Sequence, residues 1–170
     1  GGNIVYDILA HSDGSIYAAT SGGISKWNGS VWTNMNMGSG LPSNTIWCVE
    51  EDSNGDIWVG TSDGGAAFYD GVDWFVYSTG QGLPSSGVKD VLVDRSGNIW
   101  FATGNGLSVY NGVAFKNFNT STGLPGTIVN EVVQLANGNI AVATSGGIGI
   151  YNYFNWSNIT TAQGLPTANV

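Results

Sequence analysis

The sequence has few charges, few cations and almost no cysteine or histidine. Charged residues make up only 9% of its 170 residues, against roughly 25% in ordinary soluble domains. The four cations (Lys26, Lys89, Arg95 and Lys116) are scattered through a chain of formal net charge −8. A surface that neutralises phosphates needs clustered Lys and Arg. We therefore expect neither nucleic acid as a partner nor, without a long apolar run, insertion into a membrane.

Cysteine and histidine each occur once, as Cys48 and His11. One cysteine excludes an intrachain disulfide framework and a metal site built from several thiolates. One imidazole, without a nucleophile or carboxylate relay recognisable in sequence, is a poor basis for catalysis. The sequence therefore predicts a folded protein that is not an enzyme, with Cys48 as a small buried residue of a strand.

Glycine and neutral polar residues are abundant, and they follow a repeat. Gly-Leu-Pro begins at residues 40, 82, 123 and 164, at spacings of 42, 41 and 41 residues. Asx-Gly and Ser-Gly turns keep the same register, as do one threonine series and one aromatic series. These series are Gly14, Gly55, Gly97 and Gly138; Thr20, Thr61, Thr103 and Thr144; and Trp32, Trp74, Phe115 and Trp156. Asx-Gly turns between alternating apolar runs are typical of β-hairpins.

Each repeat contains four short segments with strand character and no segment with helical periodicity. Four strands in about 41 residues is the pattern of a β-propeller blade. We predict an all-β fold, a β-propeller of four blades with four antiparallel strands each, in a single module. The blades cover approximately residues 3–39, 40–81, 82–122 and 123–163, and residues 164–170 begin a next repeat. We expect the four blades to close into a ring; the alternative is half of an eight-bladed ring completed by a second chain.

Two of the repeats carry a family likeness. The stretches GLPSNTIWCVEEDSNGDIWVGTSDGG (residues 40–65) and GLPSSGVKDVLVDRSGNIWFATGNGLSVYNG (residues 82–112) resemble the two-component regulator propeller repeat. The resemblance implies blades like those of periplasmic sensor ectodomains and other bacterial surface proteins, hence an extracellular or periplasmic location. SGNIWFAT (residues 96–103) is also similar to propeller lyases that open cyclic antibiotics. The resemblance implies that such lyases need a histidine and an acidic cluster that binds a metal, and this chain has only His11.

Acidic residues suggest two cation sites. Asp7, Asp90 and Glu131, with Cys48 in the second repeat, occupy one equivalent position on the predicted innermost strand. Carboxylates that converge on a propeller axis repel one another unless they are hydrated, protonated or bridged by a cation such as Ca²⁺. The alternative is a hydrated channel rim with no cofactor. Asp52, Asn54 and Asp56 have the spacing of a calcium loop, but lack its later glutamate, which favours a hairpin turn.

The predicted outer strands are nearly uncharged, with Lys116 as their only formal charge. Exposed edge strands usually carry charges, bulges or proline, so these strands are either shielded or used for contact. Sequons that could shield them with glycans begin at Asn28, Asn119, Asn155 and Asn158. The aromatic residues near these strands suggest blade packing or a surface that stacks on sugars.

The ends of the chain share one phase of the repeat. Val170 aligns with Val5, so Pro166 to Val170 repeat the role of Gly1 to Val5. This predicts that the segment packs against another copy near its Gly1–Val5, in tandem propellers of a surface protein or fibre. The favoured function is a structural, self-assembling extracellular module. The alternative is a ligand-sensing or carbohydrate-binding ectodomain fragment of a two-component sensor.

Overall fold

Four separate sheets, each with four antiparallel strands, make up the fold. The computed structural model describes residues 2–170. The strands follow chain order within every sheet. Blade 1 contains β1 (Val5–Ala10), β2 (Ile16–Thr20), β3 (Gly23–Trp27) and β4 (Trp32–Met35). Blade 2 contains β5 (Ile46–Glu51), β6 (Ile57–Thr61), β7 (Ala66–Tyr69) and β8 (Trp74–Tyr77).

Blades 3 and 4 repeat this arrangement. Blade 3 contains β9 (Val88–Val93), β10 (Ile99–Thr103), β11 (Gly106–Tyr110) and β12 (Phe115–Phe118). Blade 4 contains β13 (Val129–Gln134), β14 (Ile140–Thr144), β15 (Gly147–Tyr151) and β16 (Trp156–Ile159). Short 3₁₀ turns follow the last strands of blades 1, 3 and 4, at Met37–Ser39, Thr120–Thr122 and Thr161–Gln163. The four-by-four architecture predicted from the repeat is confirmed.

The threonine series locks the turn between the second and third strands of each blade. The Thr103 hydroxyl donates to the Gly106 carbonyl at 2.7 Å and accepts the N–H of Asn105. The other three threonines make the same pair of bonds across their own turns. All four are buried, so the hydroxyl satisfies backbone groups that water does not reach.

Apolar clusters between neighbouring blades form the core. Tyr17 and Ile24 of blade 1 pack on Ile46 and Val49 of blade 2. Equivalent clusters join blade 2 to blade 3 and blade 3 to blade 4. The first strands β1, β5, β9 and β13 pack on one another in that order, which makes them the innermost strands. Each blade therefore has two apolar faces, one toward the preceding blade and one toward the following blade.

The ring does not close within the chain. No strand packing comparable to that between successive blades joins blade 4 to blade 1 in residues 2–170. Val5 is 60% exposed, whereas its equivalents Ile46, Val88 and Val129 are fully buried. The prediction of a ring closed by four blades is therefore wrong for the described residues. Within the described residues nothing covers Val5 as the preceding blades cover its equivalents, so the four blades form an open arc.

Candidate functional site

The acidic residues of the innermost strands link neighbouring blades. The Asp7 carboxylate accepts the backbone N–H of Val49 in blade 2 at 2.9 Å. The Asp90 carboxylate accepts the N–H of Val132 in blade 4, also at 2.9 Å. Two of the three predicted axial carboxylates therefore hold adjacent blades together.

Burial perturbs two carboxyl groups near the axis. Burial raises the pKa of Asp90 to about 6, although hydrogen bonds from the N–H groups of Val132 and Val91 oppose the shift. Burial also raises the pKa of Glu50 to about 7, helped by the negative charges of Asp90 and Asp7. The neighbouring Cys48 is buried, and desolvation raises the pKa of its thiol, so it is a poor nucleophile.

The structure does not assemble the predicted cation site. Within residues 2–170, no group of three or more His, Cys, Asp or Glu side chains lies close enough together to hold a metal ion. Glu131 is exposed on β13, while Asp7 and Asp90 are engaged by backbone N–H groups. The cation bridging Asp7, Asp90 and Glu131 stays a prediction.

The raised pKa of Glu50 predicts how stability depends on pH. A carboxyl whose pKa is higher in the folded state contributes stability below about pH 4.5 and loses it as the pH rises to about 7. Replacing Glu50 by Gln removes the buried charge. We expect E50Q to raise the free energy of unfolding by about 1–2 kcal/mol at pH 8, a value reduced for partial exposure, and not at pH 4.

Urea unfolding at the two pH values measures this effect. The matched control is Asp73→Asn, because Asp73 is an exposed carboxylate in a turn; this variant should change little at either pH. Equal stability of E50Q and the unmodified chain at pH 8 would contradict the raised pKa.

The second candidate cation loop is a hydrogen-bonded turn. The Asp52 carboxylate accepts the N–H groups of Asn54 and Asp56 and the indole N–H of Trp58. His11 lies beside this turn, with its Nε2 atom 2.9 Å from the Gly55 carbonyl oxygen. The His11 contact joins blade 1 to blade 2, and the Asp52 bonds within blade 2 support the hairpin interpretation.

The four predicted sequon asparagines lie on the surface. Asn28, Asn119, Asn155 and Asn158 are all exposed. The side chains of Asn28 and Asn119 accept backbone N–H groups within their turns, and Asn158 donates to the Gly123 carbonyl. Glycosylation at these positions stays a prediction.

The face of blade 1 that points away from blade 2 is apolar and uncovered. We call it the leading face; it contains Val5, Ile8, Ile16, Trp27 and Trp32. Ile8 is 66% exposed, whereas its equivalents Val49, Val91 and Val132 are buried. Trp32 is 57% exposed and packs on Trp27, with ring centroids 5.5 Å apart. The same positions in blades 2 to 4 are covered by the preceding blade.

The face of blade 4 that points away from blade 3 is also apolar. We call it the trailing face; it contains Val133, Ala141, Ala143, Ile148 and Ile159. These residues line a groove of about 370 Å³ together with the last residue, Val170. In blade 1 their equivalents, Leu9, Tyr17, Ala19, Ile24 and Met35, pack on blade 2. The trailing face is therefore the surface on which a following blade packs.

The C-terminal segment lies on this trailing face. The Val170 N–H donates to the Thr144 carbonyl at 3.0 Å, and Asn130 donates its side-chain N–H to the Val170 carbonyl at 2.6 Å. Val5, its repeat equivalent, lies on the exposed leading face, while Pro166 is exposed to solvent. Gly1 lies outside the described residues. The predicted contact between copies through these residues stays a prediction.

The fold and the paired apolar faces define the chain as a β-propeller built of repeated blades. The family model described as two component regulator propeller matches residues 40–63 and 82–105, which confirms the resemblance seen in those repeats. A comparison with curated protein sequences gave no match. The described residues contain no helix with the length and hydropathy needed to cross a membrane.

Several solved structures share the fold. The chain is similar to the extracellular domain of a hybrid two component system from B. thetaiotaomicron, at 18% identity and a TM-score of 0.58, over 99% of this chain and 30% of the other. Similarity to virginiamycin B lyase from Staphylococcus aureus has 15% identity and a TM-score of 0.76, over 96% and 56% of the two chains. Similarity to the WD40 beta propeller domain of Doa1 has 17% identity and a TM-score of 0.71, over 92% of this chain and 52% of the other. The chain thus spans about half or less of these propellers.

Sequence reasoning missed the two uncovered faces. The sequence signal for the trailing face was a change of residue type at two aligned positions of the repeat. Asp52 and Asp94 each accept an indole N–H, from Trp58 and Trp100. Blade 4 has Leu135 and Ala141 at these two positions, so its trailing face lacks both the acid and the ring.

Proposed function

We propose that the chain is a non-catalytic extracellular β-propeller module whose function is assembly through its two end faces. The observation that carries the proposal is the pair of uncovered apolar faces on blades 1 and 4. Equivalent apolar surfaces are buried at the three contacts between successive blades. Covering the two end faces in the same way is favourable by roughly 25 cal/mol per Å² of apolar surface buried. Large exposed apolar patches commonly mark such contact surfaces.

A structural function accounts for the chemistry of the polar residues. His11 binds a turn carbonyl, Asp52 and Asp94 hold indole N–H groups, and Asp7 and Asp90 join adjacent blades. The described residues offer no group of three or more His, Cys, Asp or Glu side chains that could hold a metal ion. The similarity to a lyase concerns the fold alone, because function depends on the residues that a fold carries.

The second candidate is a sensor ectodomain fragment. It is favoured by the match of two repeats to the two component regulator propeller model. In that case the module would contribute blades to a larger sensing propeller outside the cell, with a small ligand or a glycan as its partner. The end faces serve the same purpose in both cases, since they join these four blades to further propeller surface.

Thermal unfolding at several protein concentrations tests the assembly function. Association that requires the folded state raises the melting temperature by mass action, so the melting temperature should rise with concentration. Ile8→Asp places a charge on the leading face and should remove this dependence. The matched control is Val113→Asp, because Val113 is 88% exposed in a turn of blade 3, away from both faces.

The control should keep the concentration dependence of the unmodified chain. A melting temperature independent of concentration in the unmodified chain, identical to that of I8D, would contradict an assembly function.

A further inference from the structure

We propose that a second copy of this chain covers both end faces, so that two chains form one eight-bladed ring. The trailing face of each chain packs on the leading face of the other, and a two-fold axis relates the two identical contacts. This inference rests on the proposed assembly function and specifies its partner. Each contact is heterologous, and the ring closes when the second contact forms.

The number of blades is compatible with a second copy as the partner. Propellers typically contain between four and eight blades. The four blades of this chain leave their two ends unpaired. Two copies of these four blades supply eight, which lies within that range.

The side chains at the two faces are complementary in size. In the contacts within the chain, a large ring on one trailing face meets a tyrosine of the following blade. Trp58 lies 6.4 Å from Tyr110, and Trp100 lies 6.2 Å from Tyr151, measured between ring centroids. At the closing contact, the trailing face of blade 4 has the small Ala141, and the leading face of blade 1 has a tryptophan in the tyrosine series, Trp27.

The closing contact therefore pairs one large ring with one small side chain. The large ring lies on the leading face instead of the trailing face, and the groove over Ala141 of about 370 Å³ has room for it. Interfaces between blades are packed as closely as protein interiors, where a mismatch in volume costs stability. Trp27 of one copy therefore fits over Ala141 of the other.

The backbone of the leading face can be buried without losing a hydrogen bond. The Ile8 N–H donates to the carboxylate of Asp7 in its own strand. Val91, its equivalent in blade 3, likewise donates to its own Asp90 and is buried against blade 2. The contact between blades 2 and 3 thus shows that this arrangement suits a covered face.

Ring closure requires one local rearrangement. Val170 occupies the place on the trailing face that its repeat equivalent, Val5 of the second copy, would take. Residues 167–170 therefore compete with the second copy and must leave the face when the ring forms. Deleting these four residues should strengthen the association of two chains.

A size-exchange cycle, measured by light scattering coupled to size exclusion, tests the ring. The unmodified chain should give a species of twice the 17.7 kDa chain mass. Trp27→Ala leaves a void and Ala141→Trp makes two indoles collide, so each should weaken the dimer by at least about tenfold. The double variant restores one large and one small partner and should regain the dimer. Val113→Asp serves as the control that leaves the mass unchanged.

The outcomes separate the ring from the assembly function. Larger or open-ended species that depend on Trp27 would overturn the two-chain ring and keep assembly through the end faces. A monomer that persists after deletion of residues 167–170, and that is indifferent to W27A and A141W, would overturn both. Failure of the double variant to regain the dimer, with its four blades still folded by circular dichroism, would overturn the proposed contact of Trp27 with Ala141.

Discussion

Replacing Trp100 by alanine is expected to lower the free energy of unfolding by about 4 kcal/mol, since removing a buried Trp ring costs about 3–5 kcal/mol. Trp100 is 1% exposed and belongs to the cluster between blades 3 and 4. Its ring stacks on Phe118 at 6.1 Å and meets the edge of Tyr151 at 6.2 Å. The surrounding strands cannot collapse into the vacated volume without disturbing both sheets.

Urea unfolding followed by circular dichroism measures this loss. The matched control is Phe154→Ala, which also removes an aromatic ring, but from a side chain that is 86% exposed. The control should change the free energy of unfolding by less than about 0.5 kcal/mol. A loss below about 1 kcal/mol in W100A would contradict the packing of blade 3 on blade 4.

Replacing Asp94 by alanine is expected to cost about 3 kcal/mol, because several buried donors lose one acceptor. The Asp94 carboxylate accepts the indole N–H of Trp100 at 2.9 Å and the backbone N–H groups of Ser96 and Asn98. The Tyr153 hydroxyl of blade 4 also donates to it at 3.3 Å. The substitution therefore damages a turn and a contact between blades together.

The effect of Asp94→Ala depends on pH with a defined sign. Burial opposes ionisation of Asp94, but the hydrogen bonds from Trp100, Asn98 and Ser96 outweigh it and lower the pKa of the carboxyl. A carboxyl with a lowered pKa stabilises the folded state above its unfolded value of about 3.9 and loses that contribution as the pH falls through the folded value. The deficit of D94A should thus be full at pH 7 and shrink below about pH 4.

Urea unfolding of D94A and Asp73→Asn across this pH range tests both statements. Asp73 is an exposed carboxylate, so its variant should follow the unmodified chain throughout. A deficit of D94A that is small at pH 7, or that grows toward low pH, would contradict an ionised acceptor at the centre of the network.

The repeat predicted most of the fold because its marked residues have local tasks. Glycines at 14, 55, 97 and 138 all adopt positive φ in the hairpin turns, with values from 80° to 90°. The threonine series holds the next turn through buried hydroxyls. Such local requirements recur in each blade whatever lies beside it, so the spacing alone identifies sixteen strands.

Ring closure could not be predicted in the same way. Val5 and Ile8 have the residue types of their buried equivalents Ile46 and Val49, although their own face is uncovered. A repeat pattern predicts which face of a blade packs on a neighbouring blade. It does not predict whether that neighbour belongs to the same chain. The acidic positions on the innermost strands could be predicted from the repeat, but the pattern could not show that Asp7 and Asp90 each accept a backbone N–H of the following blade.

Chemical crosslinking between Ile8→Cys and Val133→Cys in one chain tests the central claim most directly. Leu9 and Val49, the equivalents of Val133 and Ile8, pack together between blades 1 and 2. Cys48 is buried with a raised thiol pKa and stays unreactive, and the two single variants serve as controls. The account predicts that a short thiol crosslinker joins two chains of the double variant into a covalent dimer and leaves the single variants uncrosslinked. A crosslink within one chain would contradict the account, because it would mean that blades 1 and 4 close a ring of four.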